Sequence, residues 1–155
     1  MNKETNSGEI VVAEIEIRYI PTVKPSKRPK IGLPEDAYRI LIDSWDMAKI
    51  ELVEQFKVML LNRAKRVLGI CTLTTGSVTG TIADPKQVFA VALKANACEI
   101  IIAHNHPSGN LIPSKADYQL TYKMKTVGDY LDLKVVDHII VTAEGFYSFA
   151  QEGTI

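Results

Sequence analysis

The chain has 155 residues, 46% of them apolar and 23% charged, which suffices for one domain with a proper core and is short for two. Its 18 Lys and Arg balance 18 Asp and Glu, so the basic excess of a protein built chiefly to grip phosphates is missing. No apolar leader follows Met1 and no apolar run approaches a membrane span, so a cytoplasmic protein without membrane contact is expected. The two cysteines, Cys71 and Cys98, show no C-x-x-C spacing and read as small buried hydrophobes.

Residues 1–8 are polar and read as a frayed end. From Ala13 to Tyr19 the pattern alternates, with Ala13, Ile15, Ile17 and Tyr19 on one side and Glu14, Glu16 and Arg18 on the other. That period of two predicts a half-buried strand. Pro21 to Pro29 interleaves Lys24, Lys27 and Arg28 with Pro25, and Lys30 follows. This reads as a stiff, extended, solvated connector, or more sharply as a weak phosphate-contacting arm. Residues 1–33 therefore form an expected N-terminal extension of one strand plus a basic, Pro-rich linker.

Pro34 opens a helix expected to run to about Ala48. Glu54–Leu61 and Arg66–Thr74 read as two strands joined by a short polar turn at 62–65. At Asp84-Pro85-Lys86-Gln87 a helix starts: Asp caps, Pro takes the first turn and Gln fills the capping-box position. It is expected to reach about Ala97. Cys98–Ala103 is a short apolar run that predicts a central strand covered on both faces. A loop, a helix from about Ser114 to Leu131, and closing strands at 134–142 and 146–149 complete the chain. The order of elements predicts a mixed sheet with helices packed on it, an α/β or α+β layer fold.

Chemistry concentrates in His104-Asn105-His106-Pro107 and, further on, Ser114 and Asp117. Two histidines stand two apart at the C-terminal end of the predicted central strand, and positions two apart in extended chain project to one side. Ligands tend to bind at that end of parallel or mixed sheets. Leu120, Met124, Val127 and Leu131 recur at helical spacing, and Asp117 falls on the same stripe. An inward carboxylate needs a partner, and a metal held by the histidines would supply one. Two imidazoles and one carboxylate leave the fourth tetrahedral position open, the arrangement of a catalytic zinc. Each residue also has a plainer explanation. Ser114 fits an N-cap with Asp117 at the third position of a capping box, and the histidines fit loop residues with satisfied hydrogen bonds. It is the whole pattern, with the inward phase of Asp117, that favours one zinc ion.

His104-x-His106-Pro107, six residues, Ser114, two residues and Asp117 matches without a gap the JAMM motif of the JAB/MPN metallopeptidases. With Asn105 between the histidines, Pro107-Ser108-Gly109, Pro113-Ser114, Asp137-His138-Ile139-Ile140-Val141 and Phe146-Tyr147-Ser148-Phe149, the chain resembles the RadC branch of that family over roughly residues 34–150. The resemblance implies that residues 34–155 form a JAB/MPN domain: a cytidine-deaminase-like three-layer α/β sandwich, a mixed sheet with helices on both faces, around one zinc. The Cys ligands of base deaminases are absent, so deamination is not expected. In full-length RadC proteins a helix-hairpin-helix region comes first, and 33 residues of strand and linker leave no room for it, which lowers the expectation of a DNA role. Peptidases of ubiquitin-like conjugates carry Ser or Thr where Asn105 stands, so the substrate stays open.

The resemblance further implies a distal glutamate as base. Glu51 and Glu54 are the candidates, and Glu54 shares a strand face with Phe56, Val58 and Leu60, whereas Glu51 precedes the strand and faces water. Ser114 would hydrogen-bond the developing oxyanion. His138 reads as a core histidine with its hydrogen bonds satisfied, or as a residue standing behind a ligand. Two functions compete: a zinc hydrolase cutting peptide or isopeptide bonds of a protein substrate, and a zinc-bearing module that binds nucleic acid or a repair complex without turnover.

Overall fold

The computed structural model describes residues 12–16, 18–76 and 83–155. Among these, helices α1 (Pro34–Asp43), α2 (Pro85–Lys94) and α3 (Lys115–Tyr130) accompany strands β1 (Gln55–Leu61), β2 (Val67–Thr75), β3 (Glu99–Asn105), β4 (Lys134–Val141) and β5 (Phe146–Ser148). The strands form one sheet in the order β2-β1-β3-β4-β5. β3 and β4 pair in parallel and the other pairs are antiparallel. β3 is central, as its apolar run predicted.

Alternation along β1, β3 and β4 sorts side chains to two faces. Met59, Leu61, Ile101, Ala103, Ile139 and Val141 pack against Ala37 and Leu41 of α1 and against Trp45 and Ile50 beyond it. Phe56, Val58, Leu60, Ile100, Ile102 and Val135 pack against Val88, Phe89 and Ala92 of α2 and Met124 of α3. The result is the expected three-layer sandwich, with each fully buried Leu, Ile or Phe contributing about 1.5–3 kcal/mol.

The helices end where polar side chains take over their backbone groups. α1 stops at Asp43, short of the expected Ala48, because the Ser44 hydroxyl donates to Leu41 O at 2.7 Å and Asp46 Oδ1 accepts from Ala48 N at 3.0 Å. The Ser44 carbonyl is also spent, accepting from Lys57 Nζ at 2.9 Å. α2 starts as expected at Asp84, but by a bond from Lys86 N to Asp84 Oδ1. It ends at Lys94 because Asn96 adopts φ 52° and Ala97 N reaches back to Ala92 O at 2.9 Å. α3 closes the same way, with Asp132 at φ 51° and Leu133 N bonded to Gly128 O.

The extension differs from expectation. Residues 12–16 and 18–20 form no strand, and Ile17 lies outside the described residues. Ile15 is 89% exposed: alternation alone does not make a strand without a sheet edge to pair with. Tyr19 does touch the sheet, its hydroxyl donating to Leu68 O of β2 at 2.8 Å. The linker is not a free connector either. It contains a short 3-10 turn at Pro25–Lys27 and is fastened beside the β1–β2 turn by Ile31 N to Lys65 O and Val67 N to Pro29 O. Cys98 is exposed and Cys71 half-buried, because Cys98 lies ahead of β3 rather than within it.

At Gly128, buried on α3, an added Cβ would lie 2.5 Å from the Leu133 carbonyl oxygen and 3.2 Å from Val135. Gly→Ala ordinarily strengthens a helix by about 1 kcal/mol. Here Gly128→Ala is expected instead to destabilise the protein by about 1–3 kcal/mol, measured as a lowered midpoint in urea unfolding. Unchanged or raised stability would show that α3 does not approach the sheet this closely.

Candidate metal centre

His104 occupies the penultimate position of β3 and points to the α2–α3 face, as Ile100 and Ile102 do. His106 follows one residue past the strand, where its backbone N–H still donates to Val141 O of β4. Its Nδ1 lies 2.6 Å from the Asn110 carbonyl. A carbonyl only accepts, so Nδ1 carries the hydrogen and Nε2 presents its lone pair when the ring is neutral. Gly109, at φ 76°, turns the loop so that Asn110 reaches this ring.

Asp117 arrives on the first turn of α3. Its side chain accepts from Ser114 N at 2.6 Å and from Ser114 Oγ at 2.8 Å, while Asp117 N donates to Ser114 Oγ. The capping box is therefore present, and the carboxylate that completes it is also the one aimed at the histidines. The expected inward stripe lies slightly rotated: Asp117, Thr121, Met124 and Gly128 are buried, and Leu131 is 42% exposed. Helix and sheet touch at Gly128, which turns Leu131 outward.

The donors converge. His104 Nε2 lies 3.0 Å from His106 Nε2 and 3.1 Å from Asp117 Oδ1, and His106 Nε2 lies 3.5 Å from Asp117 Oδ2. One ligand atom from each falls within 4.8 Å of the others, a set able to hold a metal ion. Glu54 Oε1 stands 4.0 Å from the same His104 nitrogen, at the edge where β1, antiparallel to β3, pairs Phe56 with His104. Glu51 is exposed. The structure thus brings together all five residues singled out from the sequence, with Ser114 touching the group through Asp117.

Electrostatics favour an ionised carboxylate here. Burial would raise the Asp117 carboxyl, but the close His104 and His106 rings and then the Ser114 N–H outweigh it and hold it well below the carboxylate range. His106 is raised, first by its bond to Asp117, against the opposing effect of burial. Two nitrogens and a carboxylate oxygen at this spacing match the borderline-soft N/O preference of zinc.

A family model described as the RadC-like JAB domain matches residues 31–154. The chain belongs to this family. It is 46% identical over 100 residues to a UPF0758 protein of Flavobacterium johnsoniae, covering 64% of this chain and 44% of that one. A UPF0758 protein of Thermotoga maritima is 41% identical over 102 residues, 66% of this chain and 46% of the relative. A third, from Rubrobacter xylanophilus, is 32% identical over 147 residues, 94% of this chain and 63% of the relative. The RadC-like chain spans somewhat under half the length of the first two of these relatives.

Three residues of this RadC-like domain matter more than their sequence context suggested. Thr121 and His138 line up behind His104. Asn105, between the histidines, points to the opposite face and is fully buried. Its Oδ1 accepts from Gln55 N at 2.7 Å, and its Nδ2 donates to Ile50 O at 2.7 Å and Val53 O at 2.9 Å. The Val53 carbonyl and the Gln55 N–H flank Glu54, so Asn105 fixes the backbone from which Glu54 projects. A buried polar residue in a central strand was the available signal; its partner, 50 positions away, was not.

Asn105→Ala would leave three backbone groups unpaired in the interior, each costing about 1–3 kcal/mol. The expected outcome is marked destabilisation in urea unfolding together with faster amide exchange at Gln55. Protection of that amide equal to wild type would mean that Asn105 does not hold the segment.

Proposed function

We propose that this RadC-like domain is a zinc-dependent hydrolase of the JAMM type that cleaves peptide or isopeptide bonds. What supports this most directly is the meeting of His104, His106 and Asp117 at 3.0, 3.1 and 3.5 Å, with Glu54 4.0 Å from the same His104 nitrogen. A purely structural site has no use for an open position beside a carboxylate base.

His104 Nε2, His106 Nε2 and a carboxylate oxygen of Asp117 would hold the ion. When bound, zinc supplies a Lewis acid that lowers the pKa of its water to about 7. Glu54 takes the proton of the attacking water and returns it to the leaving amine, a transfer worth about 10²–10⁴ in rate. Ser114 Oγ, now donating to Asp117 Oδ2, turns its hydrogen to the substrate carbonyl oxygen as negative charge gathers there; such donors are worth about 3–4 kcal/mol. Asn105 keeps Glu54 at the rim, and Asn110 keeps His106 turned. Among the described residues no helix is long and apolar enough to cross a membrane. The free thiols Cys71 and Cys98 support a reducing, cytoplasmic setting.

Glu54→Gln is expected to retain zinc and lose hydrolysis by about 10²-fold or more, read from metal content and turnover in a peptidase screen against wild type. Full turnover by that variant removes Glu54 as the base. His104→Ala and Asp117→Ala are expected to cut bound zinc from about one equivalent to a small fraction; metal analysis showing unchanged content rules out those ligands.

A second function draws support from the exposed side chains of Lys24, Lys27 and Lys30, which suit a nucleic acid backbone beside the domain. It predicts DNA affinity that falls steeply with salt, with a log–log slope of about −0.9 per phosphate contact. A titration showing no binding at low salt eliminates it.

A further inference from the structure

His138 lies on β4 and is completely buried. β4 carries an irregularity opposite Ile100 and Ile101, where the partner jumps from Val135 to Asp137. Val136 is the extra residue, and such a bulge re-aims the side chains beyond it. Val135 and His138 consequently face the same α3 side although they stand three apart, and His138 pairs with Ile102, two residues before His104. The Phe149 ring stacks on the imidazole at 4.7 Å and 9° and holds its plane.

Both ring nitrogens of His138 are engaged, and the direction of each bond follows from its ends. Thr121 Oγ1 lies 2.7 Å from the Asp117 carbonyl oxygen, which only accepts, so the hydroxyl hydrogen points there. The same oxygen lies 2.6 Å from His138 Nδ1 and must accept, so His138 carries its hydrogen on Nδ1. His138 Nε2 then offers a lone pair to His104 Nδ1, 2.8 Å away. His104 therefore donates from Nδ1, leaving its Nε2 lone pair directed at His106 and Asp117. The chain of bonds begins at one proposed ligand, Asp117, and ends at another, His104. A histidine serving only to fill the core would have no reason to join the two.

We propose that His138 and Thr121 form the positioning pair of the centre: they fix His104 in the tautomer and ring orientation that frees Nε2, and they tie that ring to the backbone of Asp117. Resting on the zinc assignment above, this pair sets metal affinity without touching the metal or the substrate. Partners that hold the far nitrogen of a ligating histidine typically account for 10–100-fold in affinity.

The test is zinc affinity by chelator competition on the purified full chain, together with side-chain ¹H–¹⁵N correlation spectra of the zinc-loaded protein. Thr121→Val keeps the shape but cannot accept from His138 Nδ1, and is expected to weaken zinc binding about 10-fold or more. His138→Leu is expected to weaken it further. His138→Gln, which can still present an oxygen to His104 Nδ1, is expected to recover part of the loss. Spectra of the wild type should show His138 as the Nδ1–H tautomer. Wild-type zinc affinity in Thr121→Val, or an Nε2–H tautomer at His138, overturns the proposal. Should His138→Leu fail to fold, Thr121→Val and the tautomer decide. Wild-type protein that takes up no zinc overturns the metal assignment itself, an outcome distinct from variants that bind as tightly as wild type.

Discussion

The structure depends on the register of three neighbouring strands at one end of one sheet. β3 runs antiparallel to β1 and parallel to β4, with Phe56 and Ile140 both paired to His104. That pairing brings the start of β1, the end of β3 and the far end of β4 to a common edge, and α3 begins against the same edge. A slip of one residue in either pairing would turn the alternate face outward, and Glu54 or His138 would leave the group while every local motif stayed intact.

Burial sets the character of the group that results. Asp117 is only 8% exposed and His104 2%. A charge so placed is tolerated because four hydrogen-bond or ionic partners surround it. Ser114 contributes two hydrogen bonds, through its N–H and its hydroxyl, so the feature that starts α3 also helps the two histidines keep the carboxylate ionised. Capping and the proposed ligation are therefore one arrangement here, and the plainer explanation of Ser114 and Asp117 holds alongside the proposed chemical one.

Much of this was legible in the sequence because it is local. His104, His106, Ser114 and Asp117 fall within one short stretch whose strand and helix periods fix their directions, and the phase of Glu54 followed from alternation in β1. The mixed sheet with packed helices followed from the order of elements, and its three layers from the family resemblance. What escaped was long-range. Nothing near Asn105 announces the peptide groups on either side of Glu54, and nothing near His138 announces the bulge at Val136 that turns it toward Thr121. The same limitation misled at the other end of the chain: residues 13–19 alternate well, yet a strand exists only where a neighbour offers its edge, and here what reaches β2 is the Tyr19 hydroxyl, bonded to Leu68 O.

The pleat of β3 gives three consecutive residues two opposite destinations. His104 and His106 look toward α3, while Asn105 between them looks toward the segment that follows α1. One tripeptide is thus a rivet through the sheet, its heads on either side. The candidate metal centre on one surface and loop architecture on the other cannot drift independently, because any displacement of the strand end is transmitted at once to both.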